Sequence, residues 1–341
     1  GQPERRQGMN RAFRGSRTAG ICLLLFCFLG ILALFALGLG SAWFAPAQIL
    51  TGLWEQDRTI QVVILNLRLP RILMAILVGA SLSVSGALLQ AVMRNPLADP
   101  GIIGVSAGAA TAATSVMLLA PTLLSSVPLF AFGGALVACV LIYAMAWKNG
   151  VDPVRIVLSG VAINTVLGAY TSFLQLLNAD NLSNVLGFLN GSLSGRGWEH
   201  VATVALYAGV GLLLAAGCIK SANILQLGDE MASSLGVNVD LLRIVISAVG
   251  AFLAAATVAV AGMIGFVGLV VPHMARILGG ADYRSLLPIS ALLGGVILLA
   301  ADTMGRILIP GMEIPVGVIM AMTGGPFFLY MLRKGGKVRG N

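Results

Sequence analysis

Charge is scarce in this chain. Thirteen acids and twenty-one Lys and Arg leave only 10% of the 341 residues charged, and there are two histidines, His200 and His273. The acids fall in connecting segments or near the ends of apolar runs, with Asp302 the deepest. A carrier driven by protons or sodium keeps an ionisable group within a span, because coupling needs a titrating or ion-binding site; no such group is present at mid-span. No Gly-x-x-x-x-Gly-Lys-Ser/Thr occurs, which excludes a phosphate-cradling loop of that type in this chain. Ser/His/Asp groupings and His-Glu-x-x-His are also missing, so catalysis has no candidate site. Four cysteines, Cys22, Cys27, Cys139 and Cys218, sit inside apolar runs without a Cys-x-x-Cys pair. We therefore expect no disulfide framework, no metal site and no cofactor bound by the chain itself. Polar stretches stay under about 25 residues, well short of a soluble domain.

What is present is apolar. Hydrophobic residues make up 58% of the chain and the mean hydropathy is +0.95. Runs of about eighteen apolar residues recur, each the length that crosses a bilayer as a helix. The fold class is an all-α polytopic membrane protein of about ten spans, near 19–40, 70–92, 101–120, 128–147, 155–177, 201–219, 241–260, 264–279, 286–303 and 314–332. The 43 glycines suit close helix approach in a membrane. Residues 1–18 read as an N-terminal tail, of which 1–8 precede Met9 and are either an extension or a cloning remnant. Residues 19–335 read as one transmembrane domain, whose first run is too long for a signal-peptide core, and 336–341 as a C-terminal tail.

The net charge of +8 belongs to the connecting segments and does not point to nucleic acid. With an even span count both termini share a side. Placing them inside puts sixteen Lys and Arg on interior segments and five, Arg58, Arg68, Arg71, Arg196 and Arg306, outside, the asymmetry of a cytoplasmic face. Two exterior segments exceed a simple turn: 41–69, with Trp43 and Trp54 suited to the interface, and 178–200, where Val185–Leu189 predicts a short interfacial or re-entrant helix. Ser83-Val-Ser-Gly86 before Pro96 is echoed by Ala259-Val-Ala-Gly262 before Pro272, entering from opposite sides as an inverted repeat would.

One interior stretch concentrates acid and apolar residues. In Leu227–Val237, Gly228 and Gly236 bracket a helical turn, Asp229 and Glu230 stand in its first turn where carboxylates suit the dipole, and Met231 and Leu235 share a face. It is either a solvated connection or a docking element for a soluble partner. The neutral polar residues within spans, Ser81, Ser83, Ser85, Asn164, Thr165, Thr171, Ser172 and Thr257, read mainly as hydrogen-bonding glue between helices. On the 155–177 span, Asn164, Gly168, Thr171 and Gln175 form a polar stripe at helical spacing; it lines a pathway or forms a buried hydrogen-bond seam between subunits. Arg68 and Arg71 stand at the start of the second span and Arg306 at the end of the ninth. They snorkel to lipid phosphate, pair locally with Asp302 or Glu313, or meet a partner.

Several motifs converge on one family. Arg68-Leu-Pro-Arg71, Ser85-Gly-Ala-Leu-Leu-Gln90, Asn95-Pro-Leu-Ala-Asp-Pro-Gly101, Gly104-Val-Ser-Ala-Gly108, Leu227-Gly-Asp-Glu230, the run Gly262–Arg276, Leu299-Ala-Ala-Asp302, Glu313-Ile-Pro-Val-Gly317 and Gly324-Gly-Pro-Phe-Phe328 together resemble the FecCD-type permeases over residues 40–335. These are membrane subunits of bacterial ABC importers for iron–siderophores, haem and cobalamin. The resemblance implies a second permease subunit, two cytoplasmic ATPases that bind ATP and Mg, and an exterior substrate-binding protein. It implies that the cargo is a ferric siderophore, or alternatively haem or cobalamin, crossing the bacterial cytoplasmic membrane. It also implies that Gly228, Asp229, Glu230, Met231, Leu235 and Gly236 couple to the ATPase, and that Arg68, Arg71 and Arg306 are sockets for acids of the binding protein. A stand-alone secondary carrier would instead need the intramembrane coupling group that the sequence lacks.

Overall fold

The computed structural model describes residues 2–40, 43–148, 150–179 and 182–335; the expected tail at 336–341 lies outside them. Among the described residues the chain forms fifteen α-helices. These are α1 (Gln2–Gly38), α2 (Pro46–Trp54), α3 (Arg58–Gln61), α4 (Leu69–Met93), α5 (Val105–Leu119), α6 (Val127–Ala146), α7 (Pro153–Leu177) and α8 (Ser183–Leu189). They continue with α9 (Trp198–Gly217), α10 (Ile219–Leu225), α11 (Asp229–Ser234), α12 (Val239–Ala261), α13 (Val267–Gly279), α14 (Tyr283–Ile307) and α15 (Val316–Gly335). Seven helical stretches are long and apolar enough to cross a membrane, and α5, α13 and α15 are shorter apolar helices. Together they match the ten expected spans. Residues 2–18, expected as a tail, are helical and continuous with the first span.

Burial separates an inner set from an outer one. The apolar core of α4 is 83% buried and that of α12 78%, against 17% for α7 and 11% for α1. The α4 helix can sit at the centre because its packing faces are small. A side chain at Gly79 would strike the backbone of Gly294 on α14 at 2.2 Å, so the two helices touch backbone to backbone. The α4 serines act as glue: Ser83 donates to the Ser290 carbonyl at 2.7 Å and Ser85 to the Gly250 carbonyl at 2.6 Å. A π-helical segment, Val62–Arg68, joins α3 to α4 without a break. Such turns mark places where the regular ladder is locally re-aimed.

The two copies of the sequence echo occupy unlike positions. Gly86 lies inside α4, whereas Gly262 ends α12 in a positive-φ conformation; Pro96 falls in a turn, whereas Pro272 lies within α13.

Contacts sort the connections to two ends. At one, Arg17 donates to Leu278, Asn223 to Asp282, and Arg243 to both Val151 and Asp229. At the other, Arg71 meets Asp302 and Glu313, Arg68 meets Leu37, and Ser192 meets Ala261. These are the groupings that the charge asymmetry predicts.

Candidate functional site

The α11 end is built around one carboxylate. Gly228 enters α11 at φ 98° and Gly236 leaves it at φ 77°, conformations that only glycine adopts without strain. They confine α11 to six residues. The expected acid pair then divides. Asp229 turns back into the chain: Arg243 of α12 donates to both its oxygens, at 2.8 and 3.0 Å, and Arg94 approaches at 3.5 Å. Arg243 is 3% exposed and also donates to the Val151 carbonyl at 2.9 Å. Arg94 follows the last residue of α4. One side chain therefore fastens α11 to the two most buried helices of the bundle. Glu230 faces outward and has no ion pair among the described residues. Leu227, Met231 and Leu235 are each more than half exposed, beside a cleft of about 600 Å3 lined by Arg94, Glu230, Met231 and Ser234. Three large apolar side chains grouped at a polar end form a surface that a partner would cover.

At the opposite end the three arginines turn into the chain. Arg68, Arg71 and Arg306 are 6%, 8% and 6% exposed. Arg71 pairs with Asp302 at 3.0 Å and with Glu313 at 2.7 Å, the local pairing that the sequence left open. Arg306 approaches Asp302 at 3.4 Å and donates to the Ala36 and Leu39 carbonyls. Arg68 donates to the Leu37 carbonyl at 2.6 Å and lies over the Phe44 ring. The physical reason lies in α1. Its last carbonyls lack partners within the helix, and guanidiniums from the neighbouring helices satisfy them. Glu313, in the connection before α15, is half-exposed. Burial pushes its carboxyl up, but the hydrogen bond and charge of Arg71, a bond from Ser194 and the charge of Arg306 outweigh this and hold it below the usual range.

On α7 the expected pathway stripe also turns inward in part. Asn164 donates to the Gly101 carbonyl at 2.9 Å, and Thr171 is 7% exposed and bonded to Thr111. Polar groups in an apolar bundle take the nearest partners, and for these two side chains such partners lie in the same chain. Gly168 is exposed and Gln175 half-buried. The outward face instead carries Ala162, Thr165, Ala169 and Ser172 at helical spacing, between Leu158 and Leu176. No charged residue lies on α7 beyond Arg155.

The short helix expected within 185–189 forms as α8. It is held by three backbone bonds: Met263 to Phe188, Ser192 to Ala261 and Gly317 to Gly191. These bonds tie α8 and the residues after it to the ends of α12 and α15. Sequence reasoning missed the Arg94–Asp229–Arg243 cluster. The available signal was Arg243 itself, a cation inside an apolar run. Among the described residues no three His, Cys, Asp or Glu side chains converge to hold a metal.

A family model described as the FecCD transport family matches residues 25–334. The chain is 39% identical over 312 residues to the Fe(3+)-citrate import system permease protein YfmE of Bacillus subtilis, covering 91% of this chain and 94% of that one. It is 46% identical over 293 residues to the cobalamin import system permease protein BtuC of Halobacterium salinarum, covering 86% and 78%. Among solved structures, an inward-facing putative metal-chelate type ABC transporter superposes with a TM-score of 0.81 at 32% identity, covering 93% of this chain and 99% of that chain.

Proposed function

The chain belongs to the FecCD transport family, and from that premise we propose that it is the permease subunit of an ATP-driven importer carrying a ferric siderophore inward. The observation that carries this is the division of labour on α11. Its outer surface, Glu230, Met231 and Leu235, suits docking on a cytoplasmic ATPase, while Asp229 fastens it to α12 and α4. A rigid-body shift of packed helices needs such a handle. ATP and Mg belong to two such ATPases. The α11 end faces the cytoplasm with both termini, which the sixteen-to-five bias of Lys and Arg supports.

A second permease subunit packs against the outward face of α7. Its small, uncharged residues, Ala162, Thr165, Gly168, Ala169 and Ser172, make a wall that a bulky polar chelate passes by weak contacts, since tight binding would prevent release. A capture protein docks at the Arg71 end. Arg68, Arg71 and Arg306 hold that platform in shape, and their excess over Asp302 and Glu313 steers an acidic partner. The relative of Halobacterium salinarum named for cobalamin import favours cobalamin as a second reading. Proteoliposomes containing the permease, its ATPase and its capture protein test both, with radiolabelled ferric citrate, ferric hydroxamates and cobalamin. ATP-dependent uptake of a ferric chelate is expected. Uptake of cobalamin alone selects the second reading, and uptake without ATP overturns the function.

A further inference from the structure

Two cavities join beside α6, α9 and α12. The upper one, about 400 Å3, is polar: Ser183, Asn184, Ser192, Arg196 and His200 stand around it. The lower one, about 240 Å3, is a mostly apolar groove between α6 and α9 over α12, lined by Leu129, Phe132, Thr203, Tyr207 and Val260. Ser125, Pro128 and Ala259 line both, so the two are continuous. Phe132, Tyr207 and Phe252 form a ring cluster with centroids about 6 Å apart at the base of this groove. Tyr207 lies about 14 Å along α9 from its first residue, at 1.5 Å per residue.

Arg196 is the unsatisfied group. Its buried Nε has no hydrogen-bond partner, and no ion pair joins it to an acid among the described residues. Burial lowers its affinity for its proton, the cost that a matched anion would offset. His200 accepts from the Gly197 amide through Nδ1, which leaves Nε2 as a second donor. The nearest acid in sequence, Glu199, is exposed. The helices on either side present large apolar residues outward: Leu129, Val137 and Val140 on α6, Leu206 and Leu213 on α9. That is the surface of helices facing acyl chains.

We propose that this continuous cavity is a phospholipid site, with the headgroup phosphate on Arg196 and an acyl chain along the α6–α9 groove. An amphiphile matches its shape. A cationic, donor-lined mouth opens onto an apolar slot at membrane depth, and a guanidinium fork suits a phosphate. The site requires only that the bundle is embedded in a bilayer and is independent of the cargo.

The test uses the full chain in its purified complex. The readouts are lipid retained in native mass spectrometry and the thermal unfolding midpoint, on titration with 1-palmitoyl-2-oleoyl-phosphatidylglycerol, with glycerol 3-phosphate and with inorganic phosphate. Wild type should retain a phospholipid and be stabilised by the lipid but by neither soluble anion. Arg196→Gln removes the headgroup contact and Thr203→Trp fills the groove from its exposed side. Each should weaken apparent lipid affinity about tenfold, as the loss of one charge-assisted contact would, while Arg196→Lys keeps most of it. If Arg196→Gln fails to fold, Thr203→Trp and Leu129→Trp carry the test. Lipid retention equal to wild type in the groove variants overturns the proposal. So does equal stabilisation by inorganic phosphate, which would make this a soluble-anion site. Loss of capture-protein docking in Arg196→Gln with lipid retention unchanged would assign the arginine to a protein carboxylate and also overturn it.

Discussion

Both ends of the bundle are organised by arginine–carboxylate contacts, yet they are built in opposite senses. At the Arg71 end, Asp302 is 1% exposed and sits between two guanidiniums that are themselves buried. At the α11 end, Asp229 is about half-exposed, and only one of its partners, Arg243, is buried. The first arrangement locks α1, α4 and α14 together and caps the last carbonyls of α1. The second leaves one polar tether under a helix whose outer surface is apolar and open. A rigid end and a tethered end are what a machine needs if force enters at one side and shape must hold at the other.

The sharpest way to break this comparison is to remove each acid. Asp302→Ala leaves Arg306 buried without its carboxylate and Arg71 with Glu313 alone. Breaking a buried pair in this way costs about 3–5 kcal/mol, so a large fall in the unfolding midpoint and in yield from the membrane is expected. Asp229→Ala removes a partner that water already reaches, and Arg243 keeps the Val151 carbonyl. The stability cost should be smaller, about 1–3 kcal/mol, while uptake falls at least tenfold and ATP hydrolysis persists. Equal destabilisation by the two substitutions would mean that the ends do the same job.

Next in size is the open surface of α11. Met231→Ala with Leu235→Ala removes exposed apolar area without touching the core. The fold should be unchanged by thermal unfolding, while the ATPase co-purifying with the permease should fall about tenfold, as loss of central apolar anchors predicts. Glu230→Arg, at the rim, should slow association and alter its salt dependence more than it weakens the final complex. A double alanine variant that keeps its ATPase through purification would remove α11 from the interface.

Smaller again is the effect on the α7 wall. Cysteines at Thr165, Ala169 and Ser172 should react with a water-soluble thiol reagent in a nucleotide-dependent way. Cysteines at Asn164 and Thr171 should be protected, because those positions face Gly101 and Thr111. The reverse pattern would restore the stripe that the sequence suggested.

Why the sequence alone cannot orient that stripe bears on how much of this molecule is legible in its sequence. Span positions were legible because length and apolar content are the same constraint in sequence and in bilayer. Membership of the outer or inner set was not, since α4 and α7 are both 25-residue apolar helices and differ only in what surrounds them. Polar residues on α7 were visible, but whether a polar side chain faces a pathway or a neighbour depends on tertiary partners. Here Asn164 found a carbonyl in the turn before α5. The arginines left their alternatives open for a related reason. Pairing with Asp302 or Glu313 was readable as one of them, but the α1 carbonyls that take Arg68 and Arg306 belong to a helix thirty residues or more away. The α11 stretch was placed well because its glycines act locally. The split between Asp229 and Glu230 was hidden because it needs Arg243, one turn into the next span.

The smallest expected effect tests the half-exposed carboxylate of the rigid end, Glu313. Glu313 joins Arg71 to the connection bearing Ser194, beside the segment held by Gly317 and Gly191. Its carboxyl is held below its ordinary value of 4.5, with burial opposing and Arg71 dominating among the groups that lower it. The folded state therefore favours the carboxylate more than the unfolded chain does. The stability this contributes is fully present above about pH 4.5 and is lost as the pH falls through the lower folded value. Because the side chain is 46% exposed, solvent screens the contact and the effect is modest. Glu313→Gln keeps the shape and removes the titration. The variant should be slightly less stable than wild type at pH 7, and the gap should close as the pH is lowered below 4.5. An unchanged gap across that range would mean that Glu313 contributes packing but no charge, and that Asp302 alone balances Arg71.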